Sequence, residues 1–272
     1  MLSNVLIVLA VAVLSIALRS YRHPALRRAG ALGIFTTSFL AGWLIGGHVL
    51  IGLAFAASWI LLPWLEILTR VRKLRIPIER RLNSRRPPTR QDFPNFDELT
   101  DEVEAENFEH VDDIGWDHDE QRQFYRVFYQ PESCTETAIC LVEQSEVAFF
   151  FVSITSRDTH GRTYMTWNYP FSYGLRLLPN IRPNRAAATL PFAEMLSEHR
   201  LFLDRNKVAV DEVRPQTPED LRSRLETDMH DQILHNLDRG LLVRDGTENI
   251  RYSARGMLFL WVQFLRDLVR LS

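Results

Sequence analysis

The stretch AGWLIGGHVLIGL, residues 41–53, lies inside an uncharged apolar run that extends from Ala31 to Leu65. One straight helix of that length would extend about 52 Å, well beyond a hydrocarbon core of about 30 Å. A division at Gly46-Gly47-His48 gives two segments, 31–45 and 49–65, each near the minimum length for a membrane span. The two glycines provide the backbone freedom that a tight reversal requires. The run therefore predicts two spans rather than one.

An earlier apolar segment, 2–18, also contains no charged residue. A secretory signal peptide and an uncleaved membrane anchor are the two interpretations of it. No lysine or arginine precedes Arg19, whereas a signal peptide begins with a basic region. We therefore expect an uncleaved anchor with its N-terminus outside, and an anchor region 1–68 with three spans in all.

Arginines flank these segments and indicate their orientation. Residues 19–28 contain four arginines, and residues 69–90 contain nine basic residues and one acid. Basic flanks favour the cytoplasmic side of a membrane. Three spans place both flanks there, whereas two spans would separate them. We expect a multi-pass protein of the cell (inner) membrane with a cytoplasmic C-terminal domain. A re-entrant hairpin at 31–65 is the alternative.

The segment 69–95 joins this basic stretch to a proline-rich linker. Apolar residues among the basic ones predict a partly helical continuation of the third span, lying on the membrane surface and broken near Pro77. Each basic residue near an anionic membrane contributes about 1 kcal/mol. Anionic membrane lipids are therefore one expected partner, and the predicted headgroup contacts are Arg70, Arg72, Lys73, Arg75, Arg80 and Arg81.

The charge then reverses. Residues 91–120 contain thirteen acids and no lysine or arginine. A short helix is predicted from Asp97, and the stretch HVDDIGWDHDE is predicted to be a solvated acidic loop. The alternative for this loop is a metal site, since carboxylate and imidazole groups bind metals. Its spacing matches no known metal motif, and its ligands would be His110, Asp112, Asp113, Asp117 and His118, with Asp119 and Glu120 nearby.

A soluble α+β domain is expected at 96–210. Four runs rich in aromatic and β-branched residues, joined by short polar links, predict an antiparallel four-stranded meander. The runs are Gln123–Tyr129, Thr137–Glu143, Val147–Thr155 and Arg162–Tyr169. Val147–Val152 is apolar on both faces, which predicts a central strand covered by a helix. A helix is also predicted at Phe192–Leu203.

An irregular, proline-rich segment separates the last strand from that helix. It contains Arg176, Arg182 and Arg185 and no acid, close to aromatic residues such as Tyr169. Arginines beside aromatic rings bind anions or nucleotides. A loop that packs over the sheet is the more common structure for such a segment. Both alternatives stay open from the sequence.

The C-terminal region, 211–272, predicts a helix, a small hairpin and a second helix. Thr217-Pro218-Glu219-Asp220 is typical of a helix start, and the following helix has an apolar stripe formed by Leu221, Leu225, Met229, Ile233 and Leu237. The motifs LDRGLLVRDG and RYS-x-RG resemble the wing region of winged-helix domains. The resemblance covers 217–271, but one long helix stands where that family has a compact helix-turn-helix.

Charge and hydropathy limit what this region can bind. Residues 217–272 contain eight arginines and nine acids, so binding to nucleic acid is not expected, and the resemblance implies protein contact instead. The last helix is apolar nearly all round and must be covered. Burial within its own domain is the first expectation. The alternative is a partner, or a membrane with Arg255, Arg266 and Arg270 at headgroup level.

No nucleotide-binding, nucleophile-elbow or zinc-protease motif is present, and no cofactor is expected. Cys134 and Cys140 match no metal or redox spacing. The expected function is that of a membrane-anchored cytoplasmic interaction or regulatory protein, which binds a protein partner or helps to assemble a membrane complex. The alternatives are a membrane-bound enzyme acting on an anionic substrate and a tethered transcription regulator.

Overall fold

The computed structural model describes residues 2–21, 23–89, 93–118, 121–144 and 147–270. Predictions that involve Arg22, Arg90, Asp92, Asp119, Glu120 or Leu271 lie outside these residues, as do the side chains of Arg27 and Arg270.

Three helices at the N-terminus are long and apolar enough to cross a membrane. They are α1 (Leu2–Arg19), α2 (Pro24–Gly46) and α3 (Val49–Thr69). Helix α2 ends at Gly47, whose φ of 76° lies in the left-handed region that glycine adopts without strain. The predicted break at the diglycine is confirmed, and the apolar run forms two helices.

Small residues bring these helices into close contact. A Cβ atom on Gly42 would lie 2.8 Å from the Cα atom of Gly52, and one on Gly33 would lie 2.2 Å from the Ser15 hydroxyl. Polar side chains join the helices as well, since the Trp59 indole donates to the Ser38 hydroxyl at 2.8 Å. Association of membrane helices depends on such close backbone packing.

The remaining chain forms a seven-stranded sheet and a three-stranded sheet. The strand order of the larger sheet is β2-β3-β4-β5-β6-β7-β8. The strands are β2 (Asn83–Ser84), β3 (Glu109–His118), β4 (Gln121–Gln130), β5 (Thr135–Gln144), β6 (Val147–Arg157), β7 (Thr163–Trp167) and β8 (Ile181–Arg185). All neighbours are antiparallel except β7 and β8.

The sheet is larger than the four strands predicted, and the acidic stretch is the main reason. It forms strand β3, so the prediction of a solvated loop is wrong. Ile114 and Trp116 alternate inward and are almost completely buried. Asp113, mostly buried on the opposite face of the sheet, lies opposite Arg126 on β4, and that arginine compensates the carboxylate charge. Strand β8 likewise lies within the segment predicted to be irregular.

Helices cover both faces of this sheet. Helices α4 (Phe96–Ala105) and α5 (Phe192–Arg205) cover one face. Helix α6 (Leu221–Asp238) crosses the other face. The first half of its predicted apolar stripe packs on the large sheet, and Ile233 and Leu237 pack on the small sheet. An ion pair between Arg157 and Asp228, at 2.6 Å, joins α6 to strand β6.

The small sheet has the strand order β1-β10-β9, from β1 (Ile76–Pro77), β9 (Leu242–Asp245) and β10 (Asn249–Tyr252), and α7 (Ala254–Arg270) follows it. Strand β1 comes from the juxtamembrane segment, which therefore supplies one strand to each sheet. Only one helical turn, Val71–Lys73, continues α3. Ile76, Ile78 and Leu82 are buried in the protein, so the prediction of a surface-lying helix is wrong. The predicted domain boundaries at residues 95 and 210 stay predictions.

Candidate functional site

The C-terminal helix α7 packs against the third apolar helix, α3. The Trp261 indole donates to the Ile60 carbonyl at 2.9 Å, and the Trp261 and Trp64 rings meet edge to face, 5.9 Å apart. Ile60 lies nine residues before the end of α3, which is about 13 Å along the helix axis. Helix α7 therefore lies beside the apolar part of α3.

Helix α7 buries polar residues and exposes apolar ones. Gln263 and Asp267 are buried, whereas Leu258 is 51%, Val262 39% and Phe264 40% exposed. Helical spacing places Leu258 opposite Asp267. Burial within its own domain, the first expectation for this helix, is therefore wrong for these apolar side chains, because the protein itself does not cover them.

A pocket of about 340 Å³ lies along this helix. Its walls come from the segment after β7, the end of α6, and α7. Four arginines with exposed side chains dominate the lining, together with apolar residues and one amide: Arg176, Arg239, Arg255, Arg266, Leu241, Leu258, Phe259, Val262 and Gln263. Arg255, Phe259, Val262 and Arg266 follow the spacing of one helix face. Among the described residues, no acid lines the pocket.

Buried polar groups hold the pocket wall in place. Asn236, fully buried, accepts from the Arg176 N–H and donates to the Arg176 carbonyl, both at 2.9 Å. The buried Asp267 carboxylate accepts from the N–H of Ser172 at 2.7 Å and from its hydroxyl at 2.5 Å. The segment that carries Arg176 is therefore attached to both α6 and α7 before any ligand binds.

The four guanidinium groups have no compensating charge. Within the described ranges, no ion pair or hydrogen bond is made by the side chains of Arg176, Arg239, Arg255 or Arg266. Arginines that converge on one pocket repel one another until an anion binds between them. Each planar guanidinium donates in the paired geometry that phosphate and carboxylate oxygens accept. The pocket is therefore suited to binding an anion.

The structure separates the three arginines predicted to bind an anion. Arg176 lines the pocket. Arg185 donates to the carbonyls of Tyr169 (2.8 Å) and Pro170 (2.5 Å), so it fixes the loop. Arg182 donates to the Pro179 carbonyl at 3.2 Å. The structure does not bring the three arginines together, because strand β8 holds Arg182 and Arg185 away from the pocket.

The predicted metal ligands lie on strand β3, and three of them contact arginines from other parts of the chain. Arg126 donates to both oxygens of Asp113 at 2.8 Å, and Arg85 lies 2.6 Å from Asp117. His110 contacts Asp113 at 3.1 Å, and Asp112 lies 4.0 Å from Arg222. In the described part of the chain, no three histidine, cysteine or acidic side chains are grouped to hold a metal ion. The extended strand spreads His110, Asp112, Asp113, Asp117 and His118 along its length.

Two of the predicted lipid contacts point into the protein. Arg80 lies over the Trp116 ring, 4.7 Å from its centroid, and burial lowers the pKa of its guanidinium. Arg75 pairs with Asp245 of the small sheet. Both side chains are engaged within the fold, and the lipid contacts stay a prediction. Arg70, Arg72, Lys73 and Arg81 are exposed, and the first three directly follow α3.

A buried network that the sequence analysis missed resembles a nucleophile and its base. The Ser156 hydroxyl lies 3.0 Å from His199 Nε2, and Thr166 lies 2.9 Å from His199 Nδ1. Ser156 and His199 are each 1% exposed. Burial, followed by the neighbouring Arg200, lowers the pKa of His199 to about 4. A substrate has no access to these groups, so the network stabilises the core.

The chain matches no known family profile, no curated protein and no solved structure.

Proposed function

We propose that this chain is a multi-pass protein of the cell (inner) membrane, with its folded region in the cytoplasm, that binds a protein partner and helps to assemble a membrane complex. The contact between Trp261 and Ile60 carries this proposal. It fastens the folded region to a helix that is apolar enough to span the membrane, so the binding surfaces are held at a defined position above the bilayer.

The chemistry of the described groups supports binding rather than catalysis. The described lining of the arginine pocket contains no carboxylate, histidine, thiol or hydroxyl side chain. Proton transfer at a neutral pH needs such a group. The buried pair Ser156 and His199 is closed to substrate. An enzyme acting on an anionic substrate is therefore the weaker alternative.

The acidic face of α4 is the surface that we assign to the partner. Its exposed carboxylates are Asp97, Glu98, Asp101, Glu102 and Glu104. Helix α4 covers the face of the large sheet opposite α6, and α6 packs on the small sheet beside α3. The acids therefore lie on the side away from the anionic lipids that would repel them. A partner with a basic surface fits this face.

Helix α6, strands β9 and β10 and helix α7 form one consecutive unit of the chain. We infer that it serves in protein and membrane contact rather than in DNA binding. Its hairpin is already paired with β1, and α7 is packed on α3. A tethered transcription regulator would need these surfaces free, so that alternative has less support.

Crosslinking in native membranes tests the proposal. A photoreactive amino acid at Asp101 should give one discrete crosslinked protein, and the complex extracted in mild detergent should be larger than the chain alone. The variant Asp101→Lys/Glu104→Lys should lose both results. Its matched control is Glu194→Lys/Glu198→Lys, which makes the same charge change on α5. A chain that migrates alone before and after the substitution would refute the assignment.

A further inference from the structure

We propose that the pocket lined by Arg176, Arg239, Arg255 and Arg266 holds the phosphate group of an anionic phospholipid. The proposal concerns a specific lipid site, in addition to protein binding, and it does not depend on the partner. Four arginines that have no acidic partner among the described residues line one pocket. A lipid phosphate supplies the charge and the oxygens that such a cluster needs.

The position of the pocket favours a lipid over a soluble anion. Helix α7 lies beside the apolar part of α3 through the contact of Trp261 with Ile60. Its exposed Leu258 and Val262 line the pocket together with Phe259. A free phosphate gains nothing from an apolar wall, whereas the first carbons of an acyl chain pack against it. In this arrangement the arginines bind the phosphate, and the apolar residues contact the acyl chain of the lipid.

The geometry of α7 agrees with this placement. Its buried face, with Leu260 and Asp267, rests on the folded region. The opposite face presents Leu258 and Val262 to the surroundings, and Arg255 and Arg266 lie on the flank away from Trp261. A helix that lies in the membrane interface has this arrangement, with its apolar face in the acyl region and its arginines at headgroup level.

The wall that carries Arg176 is organised in advance. Asn236 and Gln232 bond to the Arg176 main chain, and Asp267 bonds to Ser172 in the same segment. The main chain beside the site therefore loses little freedom when lipid binds. This distinguishes the pocket from the exposed arginines after α3, which attract anionic lipid by charge without a formed cavity.

The test uses the full chain purified in detergent and native mass spectrometry of the lipid that it retains. The chain should retain phosphatidylglycerol and not phosphatidylcholine, and phosphatidylglycerol should raise its melting temperature. The variant Arg239→Gln/Arg255→Gln should bind phosphatidylglycerol roughly tenfold to a hundredfold more weakly. The control Arg200→Gln/Arg205→Gln removes the same charge from α5 and should bind as the wild type does.

A third variant, Arg239→Lys/Arg255→Lys, keeps the charge but not the paired hydrogen bonds, and its affinity should lie between those of the wild type and the glutamine variant. It also carries the test if the glutamine variant does not fold. Equal retention of phosphatidylglycerol by all variants would overturn the proposal. So would stabilisation by glycerol 3-phosphate or inorganic phosphate equal to that by phosphatidylglycerol, which would identify a soluble ligand instead.

Discussion

The buried side-chain amide of Asn236 holds both main-chain polar groups of Arg176, each at 2.9 Å. One side chain on α6 therefore satisfies the N–H and the C=O of a residue sixty positions earlier in the chain. A buried polar group without a partner costs about 1 to 3 kcal/mol, so such a side chain decides the conformation of the segment it holds.

Asn236→Leu should destabilise the protein and weaken lipid binding together. The substitution leaves the Arg176 N–H without its partner and removes one of the two donors to the Arg176 carbonyl, which keeps its bond from Gln232. We expect the free energy of unfolding to fall by about 1 to 3 kcal/mol. The thermal unfolding of the detergent-purified chain measures this effect. Asn206→Ala is the control, since it removes an exposed amide that donates to the Phe202 carbonyl at 2.8 Å. An equal, small effect of both variants would contradict the role of Asn236.

Gly256→Ala should separate α7 from the hairpin. A Cβ atom at this position would lie 2.0 Å from the Leu241 carbonyl oxygen, a main-chain atom that cannot move aside without disturbing the turn after α6. We expect a loss of about 2 kcal/mol or more from this overpacking. At Gly174 a Cβ atom would meet the Tyr252 hydroxyl at 3.4 Å, an ordinary contact, so Gly174→Ala is the matched control. An equal fall in melting temperature for the two variants would show that the close contact at Gly256 does not limit stability.

Acid should destabilise the fold through His199. Its pKa is about 4 in the folded chain and 6.5 in the ordinary state, so between these values the unfolded chain binds a proton that the folded chain excludes. The contribution is fully present above pH 6.5 and is lost as the pH falls, by about 3 kcal/mol at pH 4. Thermal unfolding between pH 4 and 7 measures it.

The variant His199→Gln isolates this effect. Carboxyl groups also titrate in this pH range, so the readout is the difference in the pH dependence of stability between the variant and the wild type. The variant should show a shallower dependence of stability on pH, whereas His160→Gln, in an exposed turn, should follow the wild type. A slope that is unchanged in His199→Gln would show that this imidazole does not control the acid sensitivity.

The two ends of the third helix should face different compartments. In a Cys134→Ser background, a membrane-impermeant maleimide should label His48→Cys in intact cells and Glu104→Cys only after lysis. Three spans with a cytoplasmic domain produce this difference. Labelling of both positions from the same side would contradict the orientation and favour a re-entrant hairpin.

Local patterns in the sequence were sufficient for the three apolar N-terminal helices and for the α+β character of the rest of the chain. The length of the apolar run and the diglycine predicted α2 and α3, because both depend only on neighbouring residues. Strand β3 was missed because its charged residues hide the alternation of Ile114 and Trp116. The free-energy cost of placing these charged residues in a sheet becomes small only when cross-strand partners such as Arg126 are in place. Those partners lie outside the stretch itself.

The arginine pocket could not be predicted as a unit. Its four cations come from positions 176, 239, 255 and 266, and only the fold brings them together. The sequence pointed to Arg176 through its aromatic neighbours, and to Arg255 and Arg266 through their place on an apolar helix. The short strands β1 and β2 were missed for a related reason, since two-residue strands exist only through the partners they pair with.

The connection between α3 and the two sheets has almost no slack. Six residues, 70–75, separate the helix from β1, and the Ile78 N–H is already bonded to the Glu248 carbonyl. A change in bilayer thickness that tilts α3 therefore rotates both sheets together with the helix. Through this short link, the angle of one helix in the lipid sets the height and direction of every surface that the folded region exposes.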